Sequence, residues 1–188
     1  MNQNELYQAI RRTAWGYVLI HINFNLGTLN ILPNWWGYVL FIMAIPVLGK
    51  EEESTNLLKP LGILLFWAEF WFWMNNCLIG GVFNSYLISV ITSVISLYFH
   101  FQFLTNLANI ARKYECDVEN KILTLRTVQT ILTTALFLIF SWRTDFLFMK
   151  GLIVISAIVA LWVCKVLFSF SSTINERMKD GEEVMLHD

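Results

Sequence analysis

The chain has 188 residues, of which 56% are hydrophobic, 15% aromatic and only 14% charged, with a formal net charge of −1. A soluble domain is about 45–50% apolar and about 25% charged, and the mean hydropathy here is +0.55. The composition therefore predicts an integral membrane protein. It argues against a nucleic-acid partner, because no basic stripe is present.

The predicted elements are six transmembrane helices, because a bilayer core of about 30 Å needs roughly 20 apolar residues of helix. In chain order the helices cover 13–29, 34–49, 57–77, 84–108, 120–141 and 146–171. The fourth continues past the membrane to Lys113, and the sixth continues into a cytoplasmic tail at 172–188. We therefore expect an all-α fold in which residues 1–188 form a single transmembrane domain.

The orientation of the helices follows from the placement of lysine and arginine, which are enriched in cytoplasmic segments. With a cytoplasmic N-terminus, the outer segments hold only Arg143 and Lys150. The eleven other basic residues then lie on the cytoplasmic side: Arg11, Arg12, Lys50, Lys59, Arg112, Lys113, Lys121, Arg126, Lys165, Arg177 and Lys179. This bias predicts three outward hairpins with both termini in the cytoplasm.

The first hairpin, HINFNLGTLNILPNWWGY at 21–38, is unusually polar for a membrane span. Gly27 and Pro33 make an uninterrupted helix unfavourable, so we expect helix 1 to lose regularity near Asn25 to Gly27. Two interpretations stay open. The segment is either short, irregular and re-entrant, or an ordinary outer hairpin capped by asparagines.

Glu69 is the most informative polar residue, because it lies in the run FWAEFWFW near the middle of helix 3. A carboxylate at that depth costs a few kcal/mol or more unless it is protonated or paired. The structural interpretation is a neutral acid bonded to His21, an asparagine or a threonine. The functional interpretation is a proton or cation site, or a contact to a polar substrate.

Polar side chains within lipid face the bundle interior or a cavity, so the polar groups of the spans define the candidate site. The alternative for the serine, threonine and alanine stripes is tight helix packing. The candidate ligand-binding residues are Glu69, His21, Asn23, Asn25, Asn76 and His100. No metal ligand set, cofactor or catalytic residue is predicted.

Enzyme signatures are absent from the sequence: there is no HExxH, GxSxG or P-loop motif. Three scattered cysteines without a CxxC predict neither a disulfide framework nor a zinc site. The minor enzymatic alternative is a membrane cysteine peptidase using His100 and Cys116. The acidic loop YECDVEN around Cys116 does not favour a thiolate.

The pattern NLGTLNILPNWWGYVLF, with Asn25, Gly27, Pro33, Gly37 and Tyr38, resembles a motif of small uncharacterised polytopic membrane proteins from Firmicutes. In that motif an Asn-x-Gly segment precedes Leu-Pro-[Asp/Asn]-x-x-Gly-Tyr at the start of the second helix. Position 34 of this chain is asparagine, where aspartate is more usual. The resemblance implies a bacterial inner-membrane protein and no particular activity.

A topological likeness to the substrate-binding components of energy-coupling-factor vitamin transporters also exists, although their small-residue docking motif is missing here. The leading hypothesis is a non-enzymatic binding or transport subunit that recognises a small polar ligand or a cation in an intramembrane site. The alternative is an oligomeric effector or signalling subunit that forms a pore or docks on a partner. Expected partners are the lipid bilayer and either further copies of the chain or a membrane or cytoplasmic protein.

Overall fold

A computed structural model describes residues 3–21, 25–26, 29–30, 33–78, 86–141 and 146–187. This part of the chain is helical apart from one short antiparallel pairing. The elements in order are α1 Gln3–His21, β1 Asn25–Leu26, β2 Leu29–Asn30, α2 Trp35–Leu48, a 3₁₀ turn Glu53–Leu58, α3 Lys59–Leu78, α4 Tyr86–Lys113, α5 Glu119–Ser141 and α6 Phe146–His187.

Three helical stretches within the described residues are long and apolar enough to cross a membrane: Glu53–Cys77, Tyr86–Lys113 and Lys150–Arg177. For these three, the helical length and apolar composition that the sequence predicted are confirmed. α2 is apolar but has only 14 residues, which is about 21 Å of helix against a hydrocarbon core of about 30 Å.

The first helix differs from the prediction at both ends. It starts at Gln3 instead of residue 13, because Leu6, Ala9 and Ile10 continue a buried stripe that a search for uniformly apolar windows overlooks. It ends at His21 instead of residue 29, before the segment in which irregular structure was expected. Asn25–Leu26 pairs instead with Leu29–Asn30, so these residues form a short antiparallel hairpin between α1 and α2.

Each helix packs against the next one in sequence, and α6 packs against α1, so the helices close into a ring. We call this arrangement the closed order. The last helix has 42 residues, so at 1.5 Å per residue it is about 63 Å long and exceeds any bilayer core. The closed order places buried faces of α1, α2 and α4 against one another, where Tyr17, Phe41 and Phe99 have no exposed surface.

α1 and α2 cross at two glycines. A Cβ atom added to Gly37 would lie 2.7 Å from the Gly16 carbonyl oxygen, and one added to Gly16 would lie 3.1 Å from the Gly37 carbonyl oxygen. Backbone atoms cannot yield as a flexible side chain can, so any larger residue would push the helices apart. The crossing is therefore set by the absence of side chains at these positions.

Charged contacts gather at one end of the bundle. They join the start of α1, the segment after α2, the end of α4, the start of α5 and α6. The contacts are Lys50 with Glu5, Lys113 with Glu51, Arg112 with Glu119, and Arg177 with the carbonyl of Glu115. All of these basic residues belong to the set predicted to be cytoplasmic.

Candidate functional site

His100 lies at the centre of a polar cluster inside the bundle. Its Nε2 is 3.3 Å from the Tyr38 hydroxyl, and its Nδ1 is 3.2 Å from the Tyr17 hydroxyl. The Tyr38 hydroxyl is also 3.2 Å from Ser96 Oγ. A neutral imidazole needs one donor and one acceptor partner, and hydroxyl groups can act as either. Both ring nitrogens are therefore satisfied without a charged partner, and three helices are joined at one side chain.

His21 extends the cluster to α5. Its Nδ1 is 2.9 Å from the Tyr17 carbonyl oxygen, which can only accept, so Nδ1 carries the proton. The neutral ring then accepts at Nε2, where the side-chain amide of Gln129 donates across 3.2 Å. This contact fixes the orientation of the amide. Its other end, Oε1 of Gln129, is buried and has no hydrogen-bond partner among the described residues.

A small cavity lies beside this cluster, between α4 and α5. Its volume is about 40 Å³, and its lining is Ser96, Leu97, His100, Phe101, Leu104, Gln129, Thr130 and Thr133. Five of these side chains carry hydrogen-bonding groups. About 10–15 Å³ of such space is enough for one water molecule, so the cavity can accommodate a solute of a few non-hydrogen atoms. The site can therefore hold a small solute that exchanges hydrogen bonds with side chains of its wall, although Gln129 Oε1 itself has almost no accessible surface in this conformation.

Arg126 gives the neighbourhood of this cavity a positive charge. Its guanidinium carbon is 4.4 Å from the ring centroid of Phe101, a residue of the cavity wall, and its Nη1 donates to Thr105 Oγ1 at 2.9 Å. Within the described part of the chain, the buried Nε of Arg126 has no partner and no carboxylate pairs with the side chain. An unneutralised cation next to the cavity disfavours a cationic occupant.

Glu69 lies apart from His21 and forms a second polar contact. The side-chain amide of Asn34 donates to Glu69 Oε2 at 3.3 Å, so the partner is an asparagine, one of the three residue types that the sequence suggested. Asn34 precedes Tyr38 by four residues in helical backbone and therefore lies on the same face, one turn away. Glu69 and Asn34 thus continue the polar cluster along α2.

No protein-family model, curated protein or solved structure matches this chain. The resemblance carried by residues 25–38 therefore stays a prediction.

The structure brings some of the six predicted site residues together and separates others. His21 and His100 both hydrogen-bond to Tyr17, and Glu69 bonds to Asn34, one helical turn from Tyr38 on α2. We call this series of hydrogen-bonding residues the polar column. Asn76 is exposed, one position after the buried Asn75. Asn25 contributes its backbone to β1, and Asn23 lies outside the described residues.

Four residues of the cluster were not among the predicted site residues: Tyr17, Tyr38, Ser96 and Gln129. Tyr17 shares a helical stripe with His21, and Ser96 shares one with His100, so spacing could have identified both. The serines that precede His100 on α4 at helical spacing, Ser89, Ser93 and Ser96, are not all internal. Ser93 is exposed and donates to the Ser89 carbonyl of its own helix. Tyr38 and Gln129 lie on other helices than the histidines they contact, so helical spacing could not have identified them.

The proposed pairing of His100 with Cys116 is not present. His100 is thirteen residues before the end of α4 at Lys113, which is about 20 Å of helix, and Cys116 lies beyond that end. The Cys116 thiol donates to the Tyr114 carbonyl at 3.5 Å, and burial raises the pKa of this thiol. A thiol with a raised pKa and no imidazole partner among the described side chains is a poor nucleophile.

Proposed function

We propose that the protein is a non-enzymatic membrane transport subunit for a small uncharged solute that donates hydrogen bonds, of the size of water or ammonia. The observation that carries the proposal is the cavity of about 40 Å³ with five hydrogen-bonding side chains in its wall, one of them Gln129, whose Oε1 has no donor among the described residues. A buried carbonyl oxygen without a partner costs about 1–3 kcal/mol. In this proposal the Gln129 side chain rotates its almost inaccessible Oε1 toward the cavity, and a donating solute removes that cost.

The charge around the cavity selects an uncharged solute over a cation. The Arg126 guanidinium packs on the ring of Phe101 in the cavity wall. The carboxylate of the polar column belongs to Glu69, which is bonded to Asn34 on α2. An ammonium or sodium ion would meet the field of Arg126 without a compensating carboxylate in the cavity wall. A neutral donor avoids that repulsion and still bonds the amide oxygen.

The polar column supplies a route toward the cavity. From Glu69 and Asn34 the hydrogen-bonding groups continue one turn along α2 to Tyr38, and from there to Ser96 and His100. A solute that exchanges hydrogen bonds along such a series is never fully desolvated. In this proposal α2 lines the route, and the cavity between α4 and α5 is its narrowest binding position.

The test is permeability of proteoliposomes that contain the purified full chain. Water flux is followed by light scattering after an osmotic step, and ammonia uptake by an internal pH dye after addition of ammonium chloride. We expect the wild type to exceed empty liposomes for at least one of the two solutes. Gln129→Leu removes the carbonyl and should lower the protein-dependent rate roughly tenfold.

Thr127→Val is the matched control, because Thr127 is exposed on the same helix and donates to the Leu123 carbonyl. It should retain the wild-type rate. Thr133→Leu, on the exposed side of the cavity, should narrow it and lower the rate without altering Gln129. Rates no higher than those of empty liposomes would overturn the proposal. So would a ring of copies whose permeability is unchanged by Gln129→Leu, which would instead support an oligomeric effector.

A further inference from the structure

A second and larger groove lies on the outer surface of the bundle, between α5 and α6. Its volume is about 250 Å³, and it is lined by Asn120, Lys121, Thr124, Leu125, Val128, Val159 and Trp162. The floor is buried Leu125 and Val159, whose exposed fractions are 5% and 9%. The walls are Val128 and Trp162, which are exposed, so the groove is open to whatever surrounds the bundle.

One end of the groove is positively charged. Lys121 lies at that end and is exposed, and Lys165 follows Trp162 by three residues on α6, on the same side of the helix. α6 runs from the groove toward Arg177, which contacts Glu115 just before α5, so Lys165 lies on the Lys121 side of Trp162. Neither lysine forms an ion pair with any residue that the structure describes.

The acidic residue nearest to Lys121 in sequence, Glu119, is not available to neutralise that lysine. Glu119 is held by Arg112, whose guanidinium contacts its Oε1 from the end of α4. The groove therefore combines an apolar wall that follows α5 and α6 with a cationic end at the charged end of the bundle. This is the charge and shape complement of an anionic amphiphile, with a tail for the wall and an acidic headgroup for the lysines.

We propose that this groove is a binding site for one anionic phospholipid of the cytoplasmic leaflet. One acyl chain lies along Leu125, Val128 and Trp162, and the phosphate lies between Lys121 and Lys165. The site is separate from the solute cavity, which lies between α4 and α5, so it does not depend on the transport proposal. The lipid would fill the seam between α5 and α6 and stabilise their contact.

Native mass spectrometry of the full chain, released from mixed phosphatidylglycerol and phosphatidylcholine, tests this inference. We expect one phosphatidylglycerol to be retained in preference to phosphatidylcholine. The double variant Lys121→Ala and Lys165→Ala changes exposed side chains only and should weaken that binding roughly 30-fold. Thr124→Trp, which fills the apolar part but keeps both lysines, should also abolish retention.

Lys59→Ala is the matched control, since Lys59 is an exposed lysine at the start of α3 and is not part of the groove. It should retain the lipid as the wild type does. Equal retention of the two lipids by the wild type would overturn the proposal, and so would an equal loss in Lys59→Ala. Displacement of the lipid by inorganic phosphate would also contradict it, because the site would then recognise phosphate without the acyl chain.

Discussion

At the scale of single residues, the interior of this protein is organised by neutral hydrogen bonds instead of ion pairs. Tyr17, Tyr38 and His100 satisfy one another across three helices, at distances of 3.2–3.3 Å. Such bonds contribute about 0.6 kcal/mol each in membrane helices, but an unsatisfied buried group costs more. Removing one side chain of this cluster therefore destabilises the protein mainly because its former partner stays buried without a hydrogen bond.

Tyr38→Phe should lower the free energy of unfolding by about 1 kcal/mol, because it removes the hydroxyl partner of His100 Nε2 and Ser96 Oγ. In thermal unfolding of the protein in nanodiscs, this corresponds to a Tm lower by about 2–4 °C. Tyr98→Phe on α4 is the control, since Tyr98 is exposed at the surface. Equal Tm values for the two variants would show that the buried hydroxyl carries no stabilisation.

At the scale of elements, the α1–α2 crossing determines whether the cluster can form. Gly16 and Gly37 bring the two backbones close together, and Tyr38 follows Gly37 directly. The Gly-Tyr pair of the LPNWWGY segment thus has a structural explanation: glycine permits the close approach, and tyrosine reaches across to α4. Of the charged contacts at the helix ends, Lys50–Glu5 adds little, because both side chains are about half exposed and such ion pairs contribute at most about 1 kcal/mol.

Gly37→Ala should destabilise the bundle by about 1–3 kcal/mol, because the new Cβ would meet the carbonyl oxygen of Gly16. Gly151→Ala on α6 is the matched control, since a Cβ there meets nothing within 4 Å. The measurement is thermal or denaturant unfolding in the same lipid environment. A Gly37→Ala protein as stable as Gly151→Ala would contradict the close crossing of α1 and α2.

At the scale of the whole molecule, the charges are separated by position along the bundle axis. The end that gathers Lys50, Arg112 and Lys113 also holds their acidic partners, and Arg177 donates there to the backbone carbonyl of Glu115. These lysines and arginines are the ones that a positive-inside bias assigns to the cytoplasm. We therefore propose that this end faces the cytoplasm and that the α5–α6 groove opens to the inner leaflet.

Single cysteines in a background without Cys77, Cys116 and Cys164 test this orientation. In intact bacterial cells, a membrane-impermeant maleimide should label Lys150→Cys but not Lys59→Cys or Asn120→Cys. The latter two should react only after the membrane is permeabilised. All three positions are exposed in the structure, so burial cannot explain a difference. The reverse pattern would place the charged end outside.

Several elements could be predicted from the sequence because their signals are local. α5 was expected at 120–141 and runs over Glu119–Ser141, and α4 reaches Lys113 as expected, because apolar runs and flanking charges mark helix bounds directly. α1 was placed wrongly, since its first turns are amphipathic and become recognisable only when their packing partners are known. The polarity of Glu69, His21 and His100 likewise identified candidates but not their partners.

The sequence by itself determined the class of the protein and the positions of most helices, because hydrophobic transfer into a bilayer is nearly additive along the chain. Only the tertiary structure decided that His100 meets Tyr17 and Tyr38, that Glu69 meets Asn34, and that Gln129 lines a cavity. These pairings depend on the rotation and crossing of helices. The crossing of two helices is set by close packing at small residues on both surfaces. It therefore cannot be predicted from the sequence of either helix alone.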